Sequence, residues 1–264
     1  MIDLHTHILC GIDDGSKSIE MSREMLDIAF ANGTTSIFAT PHVIEAYNKP
    51  SWDLLVDKSK ELQQIAETEK IDINIFPGAE IQMNWELLAE IGEQGAYCLN
   101  GGRYVLIELP VLEIPEYADE FFYRLMLKEL TPIIAHPERN RNLMQNEVKL
   151  LEWMRKGILL QCNSGSITGA FGKQIRNNAE FLLQNKIISF IGSDAHRDKG
   201  RNTDLSEAKR IVTNMVGENY CKEIFYINPE SVLKNDLIEI NVPLTLYRNK
   251  NTTNIFSKIL RFIS

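Results

Sequence analysis

The chain opens Met1-Ile2-Asp3-Leu4-His5-Thr6-His7, an apolar run that leads straight into a pair of imidazoles, and the same arrangement recurs along the sequence. Ser36–Thr40 leads to His42, Pro132–His136 ends on an imidazole, and Ile187–Ile191 leads to Ser193-Asp194-Ala195-His196. All five histidines therefore sit at the end of a short apolar segment. Runs that are apolar nearly throughout suit strands buried on both faces of a parallel sheet.

Working outward, Ile73–Phe76, Tyr104–Glu108, Ile158–Cys162 and Ile224–Ile227 complete the strand candidates. Helical stretches lie between them. Ser16 or Ser18 opens one that closes at Gly33, Ser51 can cap the next, Pro115 suits the first turn of a third, and Asn146 through Gly157 marks a fourth. Phe171–Gln184 and Leu205–Val216 supply two more. Strand and helix alternate without a linker or low-complexity break, which predicts an α/β fold in a single domain over residues 1–242. Seven or eight βα units closing on themselves would make a TIM-like barrel, a size that 264 residues accommodate.

Composition excludes several classes. Apolar residues at 44% and charged residues at 24% fit a globular domain with a large core, and a net charge of −8 gives a nucleic-acid partner no support. Cys10, Cys98, Cys162 and Cys221 are widely spaced, form no CxxC pair and lack the following Arg of the cysteine-dependent phosphatases, so they read as buried apolar residues in a reducing compartment. A motif beginning at residue 5 leaves no room for a signal peptide, and no apolar run approaches a membrane span, so a cytoplasmic location is expected. Residues 243–264 form a tail. Arg248, Lys250, Lys258 and Arg261 make it basic, and Ile255–Ile263 mixes apolar and cationic residues, as a docked terminal helix or a membrane-surface or partner-binding helix would.

In a parallel barrel, functional side chains collect at the carboxyl ends of strands. Carboxylates occupy the same places as the imidazoles: Asp13 and Asp14 after the first strand, Glu80 after the third, Glu108 ending the fourth, Asp194 ending the seventh. Mixed nitrogen and oxygen ligands in this number exceed one ion's needs. They point to two to three divalent metal ions, with manganese, iron or zinc all suited to the donors. Arg139 in His136-Pro137-Glu138-Arg139 and Arg201 after His196 place two guanidiniums near the ligands, suited to a phosphate or carboxylate.

These motifs resemble the polymerase and histidinol phosphatase (PHP) family of metal-dependent phosphoesterases over about residues 1–240: HTH at 5–7, DDG at 13–15, TPH at 40–42, GAE at 78–80, HPER at 136–139 and SDAH at 193–196. The opening pattern is most similar to the branch of bacterial protein-tyrosine phosphatases encoded with capsule and exopolysaccharide genes. The resemblance implies a distorted TIM-like barrel of seven βα units, metals that are often manganese, and as substrate the phosphotyrosine tail of a bacterial tyrosine kinase controlling polysaccharide export. It also implies a ligand distribution: His5, His7, Glu80 and Asp194 around one ion; Glu80, Glu108 and His136 around a second; Asp14, His42 and His196 around a third. Asp14 is preferred to Asp13 because it directly precedes Gly15. Arg139 and Arg201 would grip the phosphate, and His42 or His196 could assist proton transfer. The alternatives are a small-molecule phosphatase such as a histidinol-phosphate phosphatase, a nuclease, and a non-catalytic metal-stabilised regulatory protein.

Overall fold

The computed structural model describes residues 1–110 and 113–247, so the basic segment 248–264 lies outside the described residues. Among the described residues, nine strand segments run β1 Ile2–Thr6, β2 Ser36–Ala39, β3 His42–Val43, β4 Asn74–Pro77, β5 Glu80–Gln82, β6 Tyr104–Glu108, β7 Thr131–Ala135, β8 Leu159–Asn163 and β9 Phe190–Gly192. They form two ladders, β1-β2-β4 and β3-β5-β6-β7-β8-β9, in which every pairing is parallel. Only Thr40-Pro41 separates β2 from β3, and only Gly78-Ala79 separates β4 from β5. A parallel bridge from Thr6 to Ala195 ties the first strand to the segment after the last. The result is an α/β fold with a curled parallel sheet, as the alternation predicts.

Helices follow most strands: α1 Ile19–Ala31, α2 Trp52–Thr68, α3 Ala118–Leu127, α4 Arg141–Met144, α5 Glu147–Arg155, α6 Ser164–Thr168, α7 Lys173–Gln184, α8 Ser206–Val216, α9 Glu218–Lys222 and α10 Asn228–Lys234. Ser18, not Ser16, caps α1 by accepting the Met21 N–H; Ser51 and Asn146 cap α2 and α5 in the same way. One expected strand is absent. Ile224–Ile227 belongs to a π-helical turn, Glu223–Ile227, that joins α9 to α10. Ile224 and Phe225 are buried while Ile227 is 48% exposed, and a four-residue apolar run does not by itself distinguish strand from buried helix. Ile187–Ile191 becomes strand only from Phe190.

Alternate residues of the strands face two different cores. Leu4, Phe38, Tyr104, Leu106, Ile133, Ala135, Leu159 and Phe190 pack together inside the curl, with Val232 of α10 joining them. The Tyr104 hydroxyl donates to the Asp236 carbonyl and Asn235 accepts the Arg103 N–H, so α10 closes the amino ends of the strands. The intervening residues, Val105, Ile107, Ile134, Leu160 and Ile191, pack with Met25 and Leu26 of α1, Phe121 and Phe122 of α3, Trp153 of α5 and Leu182 of α7. The carboxyl ends are left for polar side chains. Past Val242, Leu244 accepts a bond from Arg155 and Tyr247 exchanges two with Asn185, so residues up to 247 still touch α5 and the end of α7. No helix among the described residues is long and apolar enough to cross a membrane.

Candidate metal centre

The first strand is irregular where it matters. Its register with β2 shifts between Asp3 and Thr6, and the buried Asp3 carboxylate accepts the N–H groups of His5 at 3.2 Å and Ser193 at 2.8 Å. Burial raises the Asp3 carboxyl to about 6. His5 and His7, two residues apart on an extended segment, face the same rim with their Nε2 atoms 3.1 Å apart. Gly192 makes room for this approach, since a Cβ there would lie 2.6 Å from the Cβ of His5. The outer nitrogens are held as well: His7 Nδ1 lies 2.6 Å from Asp13 Oδ2 and His5 Nδ1 lies 3.2 Å from Gln161 Oε1, which leaves each Nε2 facing inward.

Glu80 occupies the middle. Its Oε2 lies 3.2 Å from His5 Nε2, 3.2 Å from His7 Nε2 and 3.0 Å from His42 Nδ1, and its Oε1 lies 2.8 Å from His136 Nε2. Asp194 Oδ1 faces the same imidazoles at 3.5 and 3.3 Å. Glu108 stands 3.7 Å from His136 and 4.0 Å from His42. Asp14 Oδ1 is 3.3 Å from His196 Nε2 and 3.8 Å from His42 Nε2.

Three groups of donor atoms each fall within 4.8 Å: His5, His7, Glu80 and Asp194; His7, Asp14, His42 and His196; and His42, Glu80 and Glu108. All nine residues anticipated as ligands are thus brought to one rim, with His136 beside Glu80 and Glu108. His7 and His42 each belong to two groups, which the sequence did not suggest.

The donors suit metal cations. Glu80 Oε2, Asp194 Oδ1 and His42 Nδ1 are buried and make no well-aligned hydrogen bond, only close contacts with one another and with the imidazoles. A buried polar atom left unpaired is unfavourable by roughly 1–3 kcal/mol, more if charged, and a coordinated ion removes that penalty. Burial opposes charge on the imidazoles, but Asp13, Asp194 and Glu80 raise His7 well above its ordinary value and Glu80 raises His42 and His136, so a bound ion would displace their protons. Burial would raise the Glu80 carboxyl, but His5, His42 and His136 outweigh it and hold it well below the usual range. Burial likewise opposes the charge on Asp194, and His5, His7 and Arg201 keep it low. Burial and then repulsion from Glu80 raise Glu108. Burial, then the positive charge of His7 and Arg201, push His196 down to about 3 and keep it in the neutral form a ligand needs.

Both anticipated arginines reach this rim. Arg139 Nη1 donates to Asp194 Oδ2 at 3.0 Å, Arg201 Nη2 contacts the same oxygen, and Asn163 Nδ2 donates to it at 2.5 Å. Their side chains remain 28% and 31% exposed, open to solvent at the mouth. A cavity of about 640 Å³ flanks Arg139, and one of about 470 Å³ flanks Arg201.

Sequence reasoning missed three participants, Gln161, Asn163 and Phe171. Gln161 and Asn163 are polar, inward-facing and buried on an otherwise apolar strand, a signal that was available. Asp13, weighed from the sequence against Asp14 as a ligand, instead buttresses His7 at 2.6 Å and accepts the His42 N–H at 2.8 Å. Phe171 stands under the arginines, and no spacing announces it. The cysteines take no part in the cluster: burial pushes Cys98 up to about 12 and Cys162 well above its ordinary value, away from the thiolate form.

A curled α/β sheet bearing imidazoles and carboxylates at its carboxyl rim defines a metallohydrolase-like architecture. The family model for capsular polysaccharide synthesis, CpsB/CapC, matches residues 1–234, and the chain belongs to that family. It is 35% identical over 253 residues to the tyrosine-protein phosphatase YwqE of Bacillus subtilis (strain 168), covering 95% of this chain and 98% of the relative. It is 34% identical over 252 residues to the putative tyrosine-protein phosphatase CapC of Staphylococcus aureus, with the same coverage of both. Among solved structures, a chain from the work on YwqE of B. subtilis and CpsB of Streptococcus pneumoniae, described as unique metal-dependent tyrosine phosphatases, matches with a TM-score of 0.88 at 35% identity, covering 94% of this chain and all of that one. The histidinol phosphate phosphatase of Lactococcus lactis matches with a TM-score of 0.54 at 17% identity, a likeness of fold alone.

Proposed function

We propose that this protein is a metal-dependent protein-tyrosine phosphatase. Its ions would sit among His5, His7, Asp14, His42, Glu80, Glu108, His136, Asp194 and His196, and Arg139 and Arg201 would hold the phosphate. One observation carries the metal part: a fully buried glutamate, Glu80, whose Oε2 faces three imidazole nitrogens within 3.2 Å. Membership of the CpsB/CapC family and the similarity to YwqE carry the phosphotyrosine part.

Bound divalent ions, manganese first among them, would supply an activated water and neutralise charge on the phosphoryl oxygens. The remaining work falls to the chain. Arg139 and Arg201 would exchange Asp194 Oδ2 for phosphate oxygens and add charge-assisted bonds as negative charge develops. Asp14 rather than Asp13 would be the ligand, because Asp13 is engaged with His7 and the backbone of His42 and Gly15. A tyrosine phenolate, with a pKa of about 10, leaves without a strong general acid. Of His42 and His196, His42 is the better placed for any assistance, because it is partly exposed at the mouth while His196 is buried and held neutral.

The physiological substrate would be the phosphotyrosine tail of a bacterial tyrosine kinase in capsule or exopolysaccharide synthesis, met at the cytoplasmic face with the basic tail near the membrane. Counting β2 with β3 and β4 with β5 as single bent strands would give the seven strands of a distorted barrel spanning residues 1–242. A substrate panel tests the proposal. Phosphotyrosine peptides should be hydrolysed with far higher kcat/KM than phosphoserine peptides or histidinol phosphate. If histidinol phosphate is the better substrate, the phosphotyrosine assignment fails and the metal-phosphoesterase reading stands.

A further inference from the structure

Phe171 lies in the turn between α6 and α7 and is half-buried, with the guanidinium carbon of Arg139 5.2 Å and that of Arg201 5.5 Å from its ring centroid. One aromatic ring thus serves both cations, each within the roughly 6 Å over which a guanidinium is attracted to a ring face. We propose that Phe171 is a positioning residue for phosphate capture, holding the two guanidiniums over the mouth of the site. The inference rests on the reading that these arginines bind the phosphate.

The turn is built to keep the ring still. Glu138, the residue before Arg139, is fully buried, and its Oε1 accepts the Asn163 N–H at 3.0 Å and the Ser166 hydroxyl at 2.6 Å. Its carbonyl accepts from Asn178 Nδ2 of α7 at 2.9 Å. Both helices flanking the turn are therefore bonded to the segment that carries Arg139. The ring packs on α6 itself, since a Cβ on Gly165 would lie 2.8 Å from Phe171 Cε2. Gly169 and Gly172 bracket the turn with φ near +90°, a backbone that other residues rarely adopt.

A long arginine side chain surrenders rotamer freedom when it binds. Asp194 Oδ2 takes one bond from each guanidinium, and those bonds are the ones a phosphate must replace. When they are released, the ring still holds both cations near the mouth, so less freedom is lost on binding phosphate.

The test uses metal-loaded full-length protein, inorganic phosphate as probe and calorimetry as readout, so that turnover is not needed. Phe171→Ala should weaken phosphate binding severalfold, up to the roughly 5- to 30-fold set by two such contacts. It should raise KM for p-nitrophenyl phosphate similarly, with kcat within about threefold and metal content unchanged. Phe171→Tyr should restore binding, and Phe171→Leu, checked by thermal melting, guards against loss of folding. In an Arg139→Ala, Arg201→Ala background, Phe171→Ala should change phosphate affinity no further. If Phe171→Ala raises KM for aromatic substrates but leaves phosphate affinity intact, the ring stacks on the substrate and the proposal is wrong. Weakened phosphate binding in the double-arginine variant with wild-type binding in Phe171→Ala overturns this inference alone. Unchanged binding in both overturns it together with the reading of the arginines.

Discussion

Replacing Glu80 by glutamine keeps the shape of the side chain and removes one charge from the centre of the site. The carboxylate is fully buried, with the ring nitrogens of His5, His7, His42 and His136 at 3.2, 3.2, 3.0 and 2.8 Å, and it belongs to two of the three donor groups. Two unit charges 4 Å apart at an effective dielectric constant near 20 interact by about 4 kcal/mol. A divalent ion doubles that figure, and the oxygen retained by the amide offsets part of it. A net loss of about 4 kcal/mol per ion corresponds to metal binding about 1,000-fold weaker. Glu80→Gln should therefore come through desalting with metal missing at two positions, measured by elemental analysis. Its kcat/KM on a phosphotyrosine peptide should fall at least about 100-fold, beyond what loss of an outer-shell contact produces. Glu61→Gln, which removes a charge from a side chain 49% exposed, should change neither quantity. Full metal content with wild-type turnover in Glu80→Gln would refute the placement of ions around this carboxylate.

Three further outcomes follow. Exhaustive chelation should abolish hydrolysis and manganese should restore it; full activity in rigorously metal-free protein would end the metal reading. Arg139→Ala and Arg201→Ala should each weaken phosphotyrosine-peptide binding by roughly 1.5–3 kcal/mol, the worth of a charge-assisted bond, while metal content stays near wild type. Parallel loss of metal would show that the arginines act through Asp194 instead. Deleting residues 248–264 should leave peptide hydrolysis unchanged while reducing association with anionic liposomes or the kinase; equal liposome binding by both proteins would remove the tail from the membrane proposal.

The legible features were those set by local chemistry. Strand-then-histidine order located the rim, and short polar caps located the starts of α1, α2 and α5. Illegible features depended on distant partners. The strands β3 and β5 span two and three residues, too few for a periodic signal, and exist because His42 and Ile81 find neighbours across the sheet. Asp13 and Asp14 are adjacent in sequence and separate in role because the loop turns one carboxylate to His7 Nδ1 at 2.6 Å and the other to His196 at 3.3 Å. Phe171 is 32 residues after Arg139 and 30 before Arg201, and only the folded turn brings it to both.

The same period-two pattern builds the core and aims the site. On β6, Tyr104 and Leu106 fill the interior and Glu108, next on that face, reaches the imidazoles; on β8, Leu159 is interior while Gln161 and Asn163 hold His5 and Asp194. On β9, Phe190 is interior and Gly192 follows on the same face, where the lack of a Cβ admits His5. Apolar residues at the amino end and polar ones at the carboxyl end of a single face mean that strand register alone decides whether a carboxylate meets metal or oil. One residue inserted within β6 between Leu106 and Glu108 would turn Glu108 toward the packed layer of α3, where Phe121 and Phe122 are buried, and present an aliphatic side chain to His136. Burying that carboxylate unpaired would be unfavourable by several kcal/mol. The register of the sheet and the composition of the metal centre are thus one constraint.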